Sequence, residues 1–165
     1  IRTSMLSIIV YGVVSVLQHR SNYNYILGFI RAITCGKYNY MPHTGNPGKV
    51  LLIVDNSSLI IERLIGILGE VKKIKKIFTA NDYTGAVTVL GEKETDIVLL
   101  DIQLPGKNGI DLLKFIVKDH PAVKVVMLTN LVSDYYQKLC RKIGAVHFMD
   151  KSKDFERIPR VVARL

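Results

Sequence analysis

From Lys49 onward the chain alternates short apolar, β-branched runs with helix-like segments, and three of the runs end on a charged residue. "KVLLIVD" (49–55) closes on Asp55, "DIVLLD" (96–101) on Asp101 and "VHFMDK" (146–151) on Lys151. Continuous apolar runs of this length are the pattern of strands buried on both faces of a parallel sheet. In an open α/β sheet the C-terminal strand ends share one edge, and ligands bind there. The pattern therefore predicts that two carboxylates and an ammonium converge from three distant parts of the chain. Water would solvate those groups more cheaply elsewhere, so their convergence points to chemistry.

The remaining elements complete an alternating series. Strands are predicted at 49–55, 75–80 ("KKIFTA"), 96–101, 124–129 ("KVVMLT") and 146–150. Helices are predicted over 57–68, capped by Asn56, Ser57 or Ser58, and over 82–91, with Gly91 as a stop signal. A third helix spans 109–119 and is punctuated by Pro121; a fourth starts at Ser133 or Asp134 and stops at Gly144. A last helix occupies much of 154–165, with Pro159 in its first turn. Because βαβ crossovers are right-handed, five such units give a doubly wound, five-stranded parallel sheet between two helical layers, an α/β fold. "VKKIKK" (71–76) is read as an edge strand whose lysines block pairing with other chains.

Residues 1–48 differ from the rest. They carry Arg2, Arg20, Arg31 and Lys37 and no acid, which accounts for +4 of the formal net charge of +9. "MLSIIVYGVVSVL" (5–17) is shorter than the roughly 20 residues a membrane span needs. "MPHTGNPGK" (41–49) reads as a linker. Two readings stay open: that Met41 is the natural start and 1–40 lies upstream of it, or that 1–40 is a genuine membrane-associating extension. The first is preferred. Cys35 and Cys140 share no ligand spacing, and His19, His43, His120 and His147 are scattered, so neither a disulfide framework nor a zinc site is expected. The cysteine usage suits a reducing, cytoplasmic compartment. The basic charge permits acidic partners, but no aromatic–basic stacking pattern or reading helix appears, and direct DNA binding is not expected.

Four motifs, "VLLIVDN" (50–56), "DIVLLDIQLPGKNGIDLL" (96–113), "VVMLTN" (125–130) and "GAVHFMDKS" (144–152), sit in order on the predicted strand ends. In them, residues 49–165 resemble the receiver domain of bacterial two-component response regulators, and in particular the chemotaxis regulator. The resemblance implies a flavodoxin-like topology with strand order 2-1-3-4-5. It implies that Asp101 accepts a phosphoryl group from a histidine kinase or a histidine phosphotransfer protein. It also implies that Mg²⁺ or Mn²⁺ is held by Asp55, Asp101 and the backbone carbonyl of Gln103, with Asn56 as a weakened fourth ligand. Lys151 and Thr129 would contact the phosphoryl oxygens. Thr129 and Phe148 would form the switch, and Pro105 and Gly109 would shape the loop after the acceptor through special backbone angles.

A carboxylate nucleophile attacking a phosphoryl group must overcome repulsion between anions, which is why a hard divalent cation and a lysine belong in such a site. The chain departs from the family at Asn56, where a second acid is usual, and at Asn130, where a smaller residue is common. The expected function is that of a single-domain response regulator, signalling through a protein bound on the helix 4–strand 5–helix 5 face, where Tyr135, Tyr136 and Phe155 either form a docking surface or, equally, are half-buried packing residues. It would be an enzyme only toward its own phosphoryl group. Asn56 raises the alternative of a phosphate-independent pseudo-receiver adaptor. A flavodoxin-like cofactor binder is disfavoured, since "DNSSLI" after strand 1 holds no glycine-rich phosphate loop.

Overall fold

A computed structural model of the chain describes residues 48–165. The readings placed on Met41, Cys35 and the segment 1–47 fall outside these residues. The described chain runs β1 (Lys49–Val54), α1 (Ser58–Gly69), β2 (Ile74–Ala80), α2 (Tyr83–Glu92), β3 (Ile97–Leu100), α3 (Gly109–Asp119), β4 (Lys124–Thr129), α4 (Asp134–Ile143) and β5 (His147–Asp150). A 3₁₀ turn (Phe155–Arg157) then leads into α5 (Ile158–Arg164), with a proline in its first turn. All strand pairs are parallel, and the sheet order is β2-β1-β3-β4-β5. Among the described residues no helix is long and apolar enough to cross a membrane.

The strands alternate their side chains between two cores, which fixes the three layers. Leu52, Val54, Val98, Leu100, Val125 and Met127 face one side, where Ala86 and Leu90 of α2, Leu112, Leu113 and Ile116 of α3, and Cys140 of α4 close over them. Leu51, Ile53, Ile97, Leu99, Val126 and Leu128 face the other, under Leu64 and Leu68 of α1 and Ile158 and Val162 of α5. Strands buried on both faces explain why their sequences read as unbroken apolar runs. The β2 run is less apolar, since it forms an edge, and Lys75 and Lys76 lie exposed on it.

Helix boundaries follow local chemistry. Ser57, Asp82, Asn108 and Ser133 each accept a hydrogen bond from the backbone N–H three residues on, capping α1 to α4. Gly144, at φ +136°, terminates α4 as expected. Gly91 does not terminate α2. The helix runs through it to Glu92 and ends because Lys93 turns extended. A glycine stops a helix by entering the left-handed region, and Gly91 does not do so.

The opposite end of the sheet is fastened by Asp96. Its carboxylate accepts from Lys49 Nζ and from the Val50 N–H, both at 2.8 Å. Burial pushes the Asp96 carboxyl up, but these hydrogen bonds and the Lys49 charge outweigh burial and hold it below the ordinary carboxylate value. A depressed carboxyl stabilises the fold above the unfolded-state value and loses that contribution as pH falls through the folded one. Asp96→Asn is therefore expected to lower stability near neutral pH, with the gap to the parent narrowing once pH drops below about 4. Urea unfolding of both proteins across that range checks the sign.

Candidate phosphoacceptor site

The three charged strand ends meet. Lys151 Nζ lies 2.6 Å from Asp55 Oδ2 and 2.7 Å from Asp101 Oδ2. All three groups are buried, with 2% (Asp55), 4% (Asp101) and 8% (Lys151) of their surface exposed. The sheet ladder places them: the Asp55 N–H donates to the Ala80 carbonyl, that of Asp101 to Val54, and that of Lys151 to Thr129. Each charged residue thus sits one position past its strand, where the backbone is still pinned and the side chain is free to turn over the edge. For this reason β1 and β3 end one residue earlier than the predicted 55 and 101, while β5 ends at 150 as predicted.

Asp55 has a second contact. Its Oδ1 accepts from the Ser57 N–H at 3.0 Å, which shapes the turn into α1. Asp101 Oδ1, by contrast, is buried and accepts no hydrogen bond. A buried, unpaired carboxylate oxygen is costly, and in a native fold it calls for an explanation.

Thr129 is fully buried at the end of β4 and lies opposite Asp150 of β5 in the ladder. Its Oγ1 accepts from the Leu131 N–H at 3.1 Å. Asn130, the next residue, accepts from the Ser152 hydroxyl at 3.1 Å, which ties the loop after β4 to the loop after β5. Phe148 is half-buried on β5 and packs into the core beneath α2, α3 and α4. Asn56, Gln103, Leu104, Pro105, Asn108 and Tyr136 are among the residues that line a cleft of about 480 Å³ beside the carboxylates.

Gly109 has a role other than the one expected. An added Cβ would lie 1.8 Å from the Asp101 carbonyl oxygen, so the glycine is required for close approach and not for an unusual φ. Its N–H donates to the Ile102 carbonyl, locking the start of α3 under the loop that follows Asp101. The residue that needs the left-handed region is Gly106, at φ +74°. The Pro-Gly pair at 105–106 is an ordinary turn signal that could have identified it.

The expected docking trio is not assembled. Tyr135 is 68% exposed and stands edge-on to Tyr136 at 5.4 Å. Phe155 is buried in the core on the other side of the sheet, under the Arg63 guanidinium. Tyr136 packs against the opposite core, so Phe155 does not join the tyrosines on one surface. Phe155 is the first residue of the 3₁₀ turn and is buried, which an even helical reading of 154–165 misses.

The donor set suits a hard divalent cation. Among the described residues no cluster of three His, Cys, Asp or Glu side chains forms a protein-only cage. Mg²⁺ does not need one, because it keeps several waters and takes one or two carboxylates. The unpaired Asp101 Oδ1, with Asp55 adjacent and Asn56 and Gln103 on the neighbouring cleft, fits that requirement.

Two carboxylates share one ammonium, so the buried cluster carries a formal charge of −1. Removing the cation leaves two uncompensated carboxylates, whereas removing one carboxylate leaves a neutral pair. Lys151→Met is expected to destabilise by about 3–5 kcal/mol, while Asp101→Asn is expected to be neutral or stabilising. Urea unfolding at low ionic strength distinguishes the two variants; equal losses would mean that the charge imbalance is not felt.

Residues 51–163 match the family model described as the response regulator receiver domain. The chain is 31% identical over 107 residues to the transcriptional regulatory protein MalR of Bacillus subtilis, covering 65% of this chain and 46% of that protein. It is 30% identical over 113 residues to a protein-glutamate methylesterase/protein-glutamine glutaminase of Pyrococcus abyssi, covering 67% of this chain and 30% of that one. The chain thus spans less than half the length of these two relatives. Among solved structures, a CheY-like receiver domain protein from Methanospirillum hungatei superposes with a TM-score of 0.66 at 22% identity, over 71% of this chain and 92% of that one. The response regulator domain of Thermotoga maritima CheB gives a TM-score of 0.63 at 27% identity, over 71% and 92%. With sheet order and family match in agreement, the chain belongs to the response regulator receiver domain family.

Proposed function

We propose that Asp101 is the phosphoacceptor of this chain and that phosphorylation is read by a protein bound on the surface of α4, β5 and α5. The observation that carries the reading is the buried Lys151 bridge, which leaves one Asp101 oxygen unpaired at the sheet edge. Receiver domains accept phosphoryl groups in two-component signalling and interact with histidine kinases and downstream effectors. A histidine kinase or a histidine phosphotransfer protein is therefore the proposed donor.

The residues divide the work. Asp101 is the nucleophile: one of its oxygens forms the new bond to phosphorus as the bond from phosphorus to the donor breaks, and the donor leaves with that electron pair. Lys151 already neutralises part of the carboxylate charge and is placed to pair with a phosphoryl oxygen. Asp55, Asp101 and the Gln103 carbonyl are the proposed holders of Mg²⁺ or Mn²⁺, with Asn56 contributing at most a neutral oxygen. When bound, that cation offsets anionic repulsion and stabilises charge on the phosphoryl oxygens. Thr129 is held by Leu131 and lies beside Lys151 in the ladder. Its hydroxyl proton is the proposed donor to the attached phosphoryl group, and its movement makes room for Phe148 to turn inward.

A second reading has one specific observation in its favour. Asn56 lies on the cleft where the family usually places a second acid, and a phosphate-independent adaptor would tolerate that loss. Intact-mass analysis after incubation with acetyl phosphate and Mg²⁺ decides between the two. One added phosphoryl group, absent in Asp101→Asn, is the expected result; an adduct at full stoichiometry in Asp101→Asn would overturn the assignment. In the same assay Asn56→Asp is expected to lower the Mg²⁺ concentration needed by about tenfold, the effect of one restored carboxylate at about 1.4 kcal/mol.

A further inference from the structure

Four lysines gather where β2 begins. Lys72 and Lys73 lie in the turn after α1, and Lys75 and Lys76 on the strand itself; Lys72, Lys75 and Lys76 are exposed. Edge protection accounts for the two on the strand but not for the two before it. Lys73 Nζ donates to the Ala163 carbonyl at 3.3 Å, which brings the cluster against the last turn of α5 and its Arg164. From Arg63 to Asn81 the sole acid is Glu70. Glu92 and Asp96, on the approach to β3, face cations of their own: Lys93 lies 3.7 Å from Glu92, and Lys49 lies 2.8 Å from Asp96. In a parallel sheet the strand starts share the edge opposite the strand ends. This corner is therefore separated from Asp55, Asp101 and Lys151 by the length of β2, roughly 20 Å.

The preceding chain reaches the domain at the same corner. The Lys49 N–H donates to the Lys73 carbonyl at 2.6 Å, and a Cβ on Gly48 would lie 2.9 Å from the Lys75 Cβ. Residues 1–47 carry four cations and no acid, and their run 5–17 is apolar. We propose that Lys72, Lys75 and Lys76, with Arg164 beside them, dock this chain on the anionic surface of a lipid bilayer. Lysine is a compact, hydrated point charge, suited to a diffuse plane of negative charge more than to forked recognition of one phosphate. A basic patch holds a protein firmly at such a surface when an apolar element is joined to it. The run 5–17 is that element, delivered at the lysine corner, and residues 1–40 thereby take the second of the readings above, a membrane-associating extension. A single-stranded nucleic acid would need exposed aromatic platforms. The ring at this edge, Phe78, is half-buried and lies under Lys76 Nζ at 4.7 Å. Docking here leaves the acceptor edge open.

The test is co-sedimentation of the full chain with vesicles of phosphatidylcholine alone and of three parts phosphatidylcholine to one of phosphatidylserine. Binding is expected to favour the second strongly and to fall as salt rises, since exposed charges are screened within about 8–10 Å. Each lysine at such a surface is worth about fivefold, so Lys72→Gln alone is expected to weaken binding by about that factor, and Lys72→Gln, Lys75→Gln and Lys76→Gln together by about tenfold or more. Lys73 is kept, because it holds Ala163. Taking the same charge from the exposed Lys118, Lys138 and Lys142 of α3 and α4, each to Gln, is expected to leave binding nearly unchanged. Circular dichroism checks that each variant keeps the fold. Equal binding to both vesicles, no binding to either, or equal losses in the two triple variants would overturn the corner as the docking surface. So would binding of a DNA duplex in place of the vesicles at the same salt, which would make the partner a nucleic acid.

Discussion

The buried bridge from Lys151 to Asp55 and Asp101 is the interaction around which the rest of this site is arranged. It joins the ends of β1, β3 and β5, strands well separated in the chain, of which β1 and β3 are neighbours in the sheet. Buried ion pairs are weak sources of stability, since desolvation offsets much of the attraction. Here the pairing is also unbalanced, two carboxylates to one ammonium, with Asp101 Oδ1 left without a partner. Such an arrangement is poorly explained as a staple. The proposed function accounts for it as a site kept short of positive charge, which a cation and a phosphoryl group would complete.

The scaffold makes that shortage tolerable by holding the backbone rigidly below it. The two apolar layers clamp β1, β3 and β4 from both faces, and the ladder hydrogen bonds at Asp55, Asp101 and Lys151 run to the last residue before each loop. Gly109 brings the start of α3 against the Asp101 carbonyl at a distance no side chain allows. The opposite side of the site is tied more lightly. Thr129 holds the loop after β4 through one hydrogen bond from the Leu131 N–H, and Asn130 reaches Ser152 of the loop after β5 through another. A site with one rigid wall and one lightly tied wall is suited to converting a charge change into motion of the lighter side.

Much of this was legible in the chain. The apolar runs located the strands within a residue or so, and the charged closures located Asp55, Asp101 and Lys151, because burial on both faces and termination at a shared edge leave direct compositional marks. What was not legible depended on three-dimensional approach. Gly109 was read as a matter of backbone angle, although a close contact requires it. Gly91 resembled a helix end, but nothing forces it into the left-handed region. Phe155 was assigned to a tyrosine surface, because the 3₁₀ entry that turns it into the other core has no helical periodicity to reveal it.

The central claim is that charge placed on Asp101 is transmitted through Thr129 to the surface of α4 and β5. Beryllofluoride with Mg²⁺ mimics the phosphorylated acceptor, and backbone resonances report the response residue by residue. The account predicts shifts at Asp55, Asp101 and Lys151 that extend through Thr129 to Phe148 and the exposed face around Tyr135, with the distant part lost in Thr129→Ala. Binding of the mimic with residues 134–150 unchanged would contradict it.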